Sequence, residues 1–355
     1  MKPNDDILGL LPPNHLARKT HSLHHFTLRK ELIAFPTFQK TVEEIALLHY
    51  RWRQSEVSEG LLVYGQHGSG KSTAIKHYLE QFKRKRVGGL SKIPVLFSLT
   101  PETPSVVSLS DVLLTSLGDP LATRGTAATK LNRIVHFFKE CGVEMLVLDE
   151  FHHFYDTHRI LEGRRVSDWL KNLMNLTGIC IVLVGLPRSI AALNANPQLR
   201  RRFSAPLHHA EFTFNDAQAQ HEFRGLLSAL EQRLPVRCVP SLTEPEMARR
   251  MYYATHGLID YVVKIIDDAV AMSGLKVGES IGLEALASAF KRKVWAECPD
   301  WINPFLAEKL RQLTQDKEPF GDWDDPDQYR LSTRTRTTAP KSNFSAEGGM
   351  RNAHY

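Results

Sequence analysis

Gly65-Gln66-His67-Gly68-Ser69-Gly70-Lys71-Ser72 is a complete G-x-x-x-x-G-K-[ST] phosphate-binding loop. Leu61-Leu62-Val63-Tyr64 before it reads as a buried strand, and residues 73–82 after it read as a helix. Strand, loop and helix in that order are the context the motif needs. Glycines let the backbone wrap phosphates, while loop N–H groups and the helix N-terminus supply positive potential. The expected nucleotide ligands are Gly65, Gln66, His67, Gly68, Ser69, Gly70, Lys71, Ser72 and Thr73. Lys71 is assigned to the β- and γ-phosphates of ATP and Ser72 to Mg²⁺.

The next motif outward is Glu144-Met145-Leu146-Val147-Leu148-Asp149-Glu150, an apolar strand that ends in two carboxylates. Asp149 is assigned to the nucleotide site and to Mg²⁺, and Glu150 to orienting and polarising the attacking water. In a parallel sheet the C-terminal strand ends line the ligand crevice, so both motifs face one site. An Asp-Glu pair there argues for hydrolysis, beyond nucleotide binding alone. His152 and His153 follow at once. Mg²⁺ prefers oxygen ligands, so they are read as flanking or nucleic-acid-facing residues. Val184-Gly185-Leu186-Pro187 ends a further strand, where many ATPases of this layout place a polar sensor of the γ-phosphate. This chain offers Leu186, with Ser189 as the alternative. Asn196-Pro197-Gln198-Leu199-Arg200-Arg201-Arg202-Phe203 carries an arginine cluster. It suits a finger entering a neighbouring subunit's site, with Arg202 the first candidate catalytic residue and Arg201 the second. The competing reading is a helix-end basic cluster favoured by the macrodipole.

The chain has 355 residues, enough for one large or two ordinary domains. Its 42% hydrophobic and 24% charged content is that of an ordinary soluble globular protein. No apolar run approaches the roughly 18 residues of a membrane span, and the first residues lack a secretory apolar stretch. Cys141, Cys180, Cys238 and Cys298 form no C-x-x-C pair, which predicts reduced thiols in a cytoplasmic protein and no metal site. A net charge of +6 is compatible with a polyanion partner without requiring one.

Strands are expected at 61–65, 93–99, 143–149, 179–184 and 210–214. Helices are expected at 37–54, 71–86, 106–117, 127–140, 164–176 and 188–195. Near-continuous apolar strands separated by helices indicate a parallel sheet covered on both faces. From about 216 only helical periods follow, at 216–232, 242–255, 258–272 and 281–294, with helix continuing to about 315. The expected division is an arm at 1–35, a nucleotide-binding core at 36–214, a helical lid at 215–315 and a disordered tail at 316–355. His21, His24 and His25 in the arm read as a surface cluster, not a metal site.

The loop at 65–72, Leu148-Asp149-Glu150-Phe151-His152-His153, Val184-Gly185-Leu186-Pro187 and the segment 197–203 together resemble the TnsC/TniB family of AAA+ transposition ATPases. The resemblance covers roughly residues 35–270. It implies an α/β fold, a P-loop AAA+ ATPase with a five-stranded parallel sheet flanked by helices and followed by a smaller all-helical lid. It also implies self-assembly as a ring or filament, hexameric or heptameric per turn, on double-stranded DNA when ATP is bound. Such proteins link a target-selection protein of the TniQ type to transposase subunits, and hydrolysis disassembles or resets the assembly. No membrane role is implied. The chain departs at Leu186, where family members commonly carry Thr. It departs again at Asp260, where other AAA+ proteins often place a second-sensor arginine.

DNA contacts would be to the backbone and hence without sequence preference. Thr123, Arg124, Thr126, Lys130 and Arg133 are the first candidates, with Thr126 also suited to cap a helix. Lys83-Arg84-Lys85-Arg86 is the second region, read as the end of the helix that follows the loop. Two rival functions remain at this level: a helicase-loader-like replication ATPase, and a signalling or secretion-associated ATPase that binds no DNA. A metabolic P-loop kinase would have no use for the arginine cluster or the helical second domain.

Overall fold

The computed structural model describes residues 23, 26–88, 90–103, 105–155 and 160–321. Five strands form one parallel sheet: β1 Gly60–Tyr64, β2 Val95–Leu99, β3 Met145–Asp149, β4 Cys180–Gly185 and β5 Leu207–His208. Their order across the sheet is β2-β3-β4-β1-β5. Parallel neighbours need crossovers. These are supplied by α2 Lys71–Leu79, α3 Val106–Leu117, α4 Ala127–Cys141, α5 Ile160–Thr177, α6 Ser189–Asn194 and α7 Pro197–Arg200, while α1 Pro36–Ser55 precedes β1.

Strand alternation sends every second side chain to the opposite face. Leu62, Leu96, Leu146, Leu148, Ile181 and Leu183 pack against Leu113, Phe138 and Leu170 of α3, α4 and α5. Their neighbours Leu61, Val63, Val95, Val147 and Val182 pack against Ile45 and Leu48 of α1 and Ile75 and Tyr78 of α2. Both faces are apolar, so the strands read as nearly continuous hydrophobic runs. Pairing of Tyr64 with Gly185, and of Leu99 with Asp149, aligns the C-terminal strand ends along one edge. Local signals fix the helix ends. Ser105 and Ser108 close a capping box on α3, and Thr126 Oγ1 accepts from the Thr129 amide at the start of α4.

The fifth strand lies at Leu207–His208, not at 210–214. The His209 amide donates to Tyr64 O at 2.7 Å, and the chain then leaves the sheet. Phe212 and Phe214 alternate toward aromatic partners outside the sheet: Phe223 lies near both, and Tyr252 stacks on Phe214. The helix expected over 71–86 also stops early. A 3-10 turn at Glu80–Phe82 leads into an antiparallel hairpin of Lys85–Val87 and Leu90–Lys92, with Gly88 at φ +59° in the turn.

A second core holds α8 Ala217–Glu231, α9 Pro245–Thr255, α10 Ile259–Met272 and α11 Leu283–Lys293. It is not purely helical, since Arg237–Cys238 and Ser280–Ile281 pair as a short parallel ladder. Residues 294–321 are turns where helix was expected to 315. Pro299 and Pro304 oppose helix there. The Arg250 guanidinium donates to Pro304 O and Ala307 O at 2.8 and 3.0 Å. Residues 316–321, assigned to the tail on sequence, pack as part of this core, with Phe320 stacked on His256 at 5.2 Å. The described part of the arm is tied to α10. Asp267 of α10 accepts from Thr27 Oγ1 and the Leu28 amide, both at 2.7 Å, and a 3-10 turn follows at Leu28–Lys30. His21, His24, His25 and the segment 322–355 lie outside the described residues. All four cysteines are buried and none is disulfide-bonded. No helix among the described residues is long and apolar enough to cross a membrane.

Lys130, a candidate DNA contact on sequence, is 1% exposed and ion-paired with Asp111 of α3. It ties α3 to α4 and presents no charge to a polyanion. Lys130→Ala should therefore destabilise the fold by on the order of 2 kcal/mol, because Asp111 keeps a half-buried charge without its partner. Thermal unfolding by circular dichroism measures this, and an unchanged midpoint would contradict the pairing.

Candidate nucleotide site

The loop at 65–70 leaves the C-terminal edge of β1 and enters α2 at Lys71. Gly68 and Gly70 adopt φ of +75° and +103°, conformations that glycine enters freely. Gly65 is excluded from change for another reason: a Cβ there would stand 2.3 Å from His209 O. Lys71 is 8% exposed, and its Nζ donates to Gly65 O at 2.8 Å and Gln66 O at 2.6 Å. Burial pushes its pKa down to about 8, against an upward pull from Asp149, Glu150 and Glu211.

Ser72 Oγ donates to Asp149 Oδ2 at 2.8 Å. The other oxygen, Oδ1, accepts from the Glu150 amide at 2.8 Å. Glu150 itself sits at φ +59°, a left-handed position that turns its carboxylate toward the loop side of the sheet. A buried carboxylate and a hydroxyl in contact make a hard oxygen set that fits Mg²⁺. Loop amides, a helix N-terminus and Lys71 fit a polyphosphate. The donors present therefore suit Mg²⁺ and a nucleoside triphosphate together.

These groups open into a cleft of about 390 Å³. Its polar end is the loop with Thr73 and Glu150. Its apolar end includes Leu28, Ile33, Phe35, Phe38, Ile259 and Val263. The arm and α10 thus wall the site, which the sequence reading had given to the core alone. Apolar Leu28, Ile33 and Phe35 inside a polar arm were the available signal. His209 was also missed. It is fully buried beneath the loop, with Nδ1 2.8 Å from Thr41 Oγ1 and Nε2 3.2 Å from Ser69 O. Burial and the nearby Lys71 charge push its pKa down to about 4.

Of the sensor candidates, Leu186 lines the cleft, while Ser189 is buried against Gly185 and does not. Asp260 abuts the loop: its amide donates to Gly68 O at 3.1 Å, and its carboxylate pairs with Lys264 at 2.6 Å and Arg29 at 3.4 Å. His152 packs behind Glu150, its Nδ1 3.2 Å from Oε2. Burial, with the Arg188 charge next in weight, drops its pKa to about 3.

The arginine cluster lies elsewhere. Arg202 O accepts from the amide of Gly60, the first residue of β1, and the Arg202 side chain bonds Asn175. Arg200 bonds Phe203 O at 2.7 Å, and Arg201 is exposed. Five strand residues, about 16 Å, separate this edge from the loop. One chain does not bring Arg201 or Arg202 to its own Lys71. Among the DNA candidates, Thr123 and Arg124 are exposed in a turn and Thr126 caps α4. Arg133 is committed to Asp119 and to Arg124 O. Lys83, Lys85 and Arg86 are exposed, and Arg84 bonds Leu117 O at 2.8 Å.

Residues 24–213 match the family model described as the bacterial TniB protein. Among solved structures, the Aeropyrum pernix ORC2 protein in its ADPNP–ADP complexes is similar with a TM-score of 0.54 at 17% identity, covering 76% of this chain and 72% of that one. The Aeropyrum pernix ORC1 protein in complex with DNA gives 0.55 at 13% identity, covering 73% and 66%. CDC6P from Pyrobaculum aerophilum gives 0.53 at 14% identity, covering 74% and 68%. At these identities the likeness is one of fold: the chain has the P-loop AAA+ fold, with a parallel sheet followed by a mostly helical part. No curated protein matches the chain.

The Lys71 shift sets a pH dependence. A lysine depressed to about 8 is destabilising while charged, a penalty complete below pH 8 and relieved as pH rises toward the unfolded value near 10.4. Phosphate needs the charged form. ATP affinity should therefore hold below pH 8 and fall by up to about tenfold per unit above it, with proton uptake on binding. Calorimetry in two buffers of different ionisation enthalpy tests this; no proton uptake at pH 9 would refute it.

Proposed function

The chain belongs to the bacterial TniB family, and from that premise we propose that it is an ATPase of DNA transposition. It binds ATP and Mg²⁺ at the loop, assembles on double-stranded DNA without sequence preference, and links a target-selection protein to the transposase. The observation that carries the reading is the contact of Ser72 with Asp149 beside buried Lys71, with Glu150 on the same cleft. Lys71 holds the β- and γ-phosphates. Ser72 and Asp149 hold Mg²⁺, which neutralises phosphate charge when bound. Glu150 accepts a proton from the attacking water and aims its lone pair at phosphorus. Arg202, with Arg201 beside it, serves the site of the next copy and stabilises charge on the transferring group. Loss of the γ-phosphate releases the assembly.

The DNA-facing surface in this reading combines the two candidate regions. Arg84 bonds Leu117 O and lies against Gly118, at the start of the segment that leads to the turn with Thr123 and Arg124. Lys130 is removed from that surface by burial. The family match favours transposition over replication loading. The arm and tail are the segments proposed to dock TniQ-type and transposase partners, and a cytoplasmic location follows from the same reading.

Glu150→Gln should bind ATP normally, hydrolyse it at least about 100-fold more slowly, and persist on duplex DNA under electron microscopy as a ring or filament. Lys71→Ala should lose nucleotide binding. Neither Lys71→Ala nor Arg202→Ala should hydrolyse ATP alone, whereas their mixture should recover part of the rate. A mixture as inactive as its components would reject the shared site, and absence of any DNA-bound assembly with ATP would reject the DNA role.

A further inference from the structure

Directly behind the water-polarising Glu150 stand two histidines, His152 and His153, that nucleotide chemistry does not use. Glu150, His152 and His153 each offer one ligand atom, and the three atoms lie within 4.8 Å of one another. Glu150 Oε2 and His152 Nδ1 are 3.2 Å apart. That is about the edge of a tetrahedron built on bonds near 2.0–2.1 Å, as around zinc. The His152 side chain is 3% exposed, and Nδ1 of His152 and of His153 are buried without a hydrogen-bond partner. Buried imidazole nitrogens ordinarily find one, because leaving them unmet costs about 1–3 kcal/mol. The short helix at Phe151–Tyr155 fixes both rings on one turn, anchored by buried Phe151 and Phe154.

We propose that Glu150, His152 and His153 bind Zn²⁺ or a similar borderline transition ion, and that this ion stops ATP hydrolysis by occupying the Glu150 carboxylate. Two imidazoles and one carboxylate are a zinc donor set with the fourth position open. The same set discriminates against Mg²⁺, which takes oxygen ligands and is served separately by Ser72 and Asp149. Positive charge from Arg188 and Lys71 reaches His152, so the site is weaker than a closed structural zinc centre. A carboxylate whose charge is shared with the ion is a much weaker base toward water, and its orientation is fixed by the ion. The triphosphate stays whole and the assembled state is prolonged. The inhibitory half of the inference rests on the role given to Glu150 above; the binding half does not.

Zinc binding is measured on the full chain without nucleotide, by competition with a chromophoric chelator, and hydrolysis is measured separately in excess Mg²⁺ with buffered Zn²⁺. One equivalent is expected to bind and to suppress hydrolysis reversibly. His153→Ala and the more conservative His153→Gln should keep the Mg²⁺-supported rate. Both should lose zinc affinity by more than the roughly 10- to 100-fold typical of outer-shell changes, and become insensitive to zinc in hydrolysis. No zinc binding, or equal binding by both variants, overturns the site. Binding that depends on His153 yet leaves hydrolysis unchanged overturns the inhibition and points to an error in the role of Glu150, not in the site.

Discussion

The contact between Ser72 Oγ and Asp149 Oδ2 joins two elements that are not neighbours in the sheet. Strand β4 lies between β1 and β3, so the loop and the carboxylate start two strand spacings apart, about 10 Å. Between them β4 ends in Gly185, a residue without a side chain. A Cβ on Gly185 would stand 2.3 Å from Ser189 Oγ and 3.1 Å from the His152 amide nitrogen, and Gly185 O also accepts from the Gly65 amide. A larger residue at this strand end would displace the packing beneath the cleft that the loop and Asp149 share. Buried Lys71 and Asp149 support one another, Asp149 being the strongest of the acids, with Glu150 and Glu211, that offset the burial of the Lys71 charge.

Around this contact the cleft is closed by parts distant in sequence. Asp267 holds the arm, the Asp260 amide holds the loop at Gly68, and both residues belong to α10. Arm, loop and the helical part are thus linked through one helix. A ligand touching all three favours their joint arrangement by the difference in its contacts with each. The Arg29–Asp260 pair is half-exposed and contributes at most about 1 kcal/mol, so phosphate oxygens compete with it readily. The position that carries a sensor arginine in other AAA+ proteins here carries the acid that holds an arginine from the arm.

Sequence patterns were legible where one physical demand acted alone. Four strands buried on both faces wrote themselves as apolar runs, and the phosphate loop wrote its backbone needs as glycines. Legibility failed where two demands used the same residues. Phe212 and Phe214 alternate like a strand, yet their rings pack with Phe223 and Tyr252. Lys83-Arg84-Lys85-Arg86 extends a helical polar pattern, yet Gly88 turns the chain into a hairpin. Lys130 has the charge of a DNA contact, but its partner Asp111 is on another helix and cannot be paired with it by spacing. His209 gave no pattern at all, because a single residue supporting a loop from below has no period. At 294–321 the apolar content signalled burial correctly, while prolines and buried Asn303 made the buried chain irregular.

The arginine cluster is the remaining constraint, and its position carries consequences for assembly. Arg202 is fixed to the N-terminal edge of β1 through Gly60, and the loop begins at the other edge of the same strand. No side chain spans that distance. An arginine working on phosphate from there would work on another copy, and the interface proposed above would then use two different surfaces, loop edge on one copy and arginine edge on the next. Such head-to-tail contacts close into a ring or run on as a helix according to the rotation per step alone. The chemistry of the site is identical in both. Under the proposed shared site, ring against filament is thus decided by the packing between copies, and the nucleotide is the group at the shared edge through which that packing would be controlled.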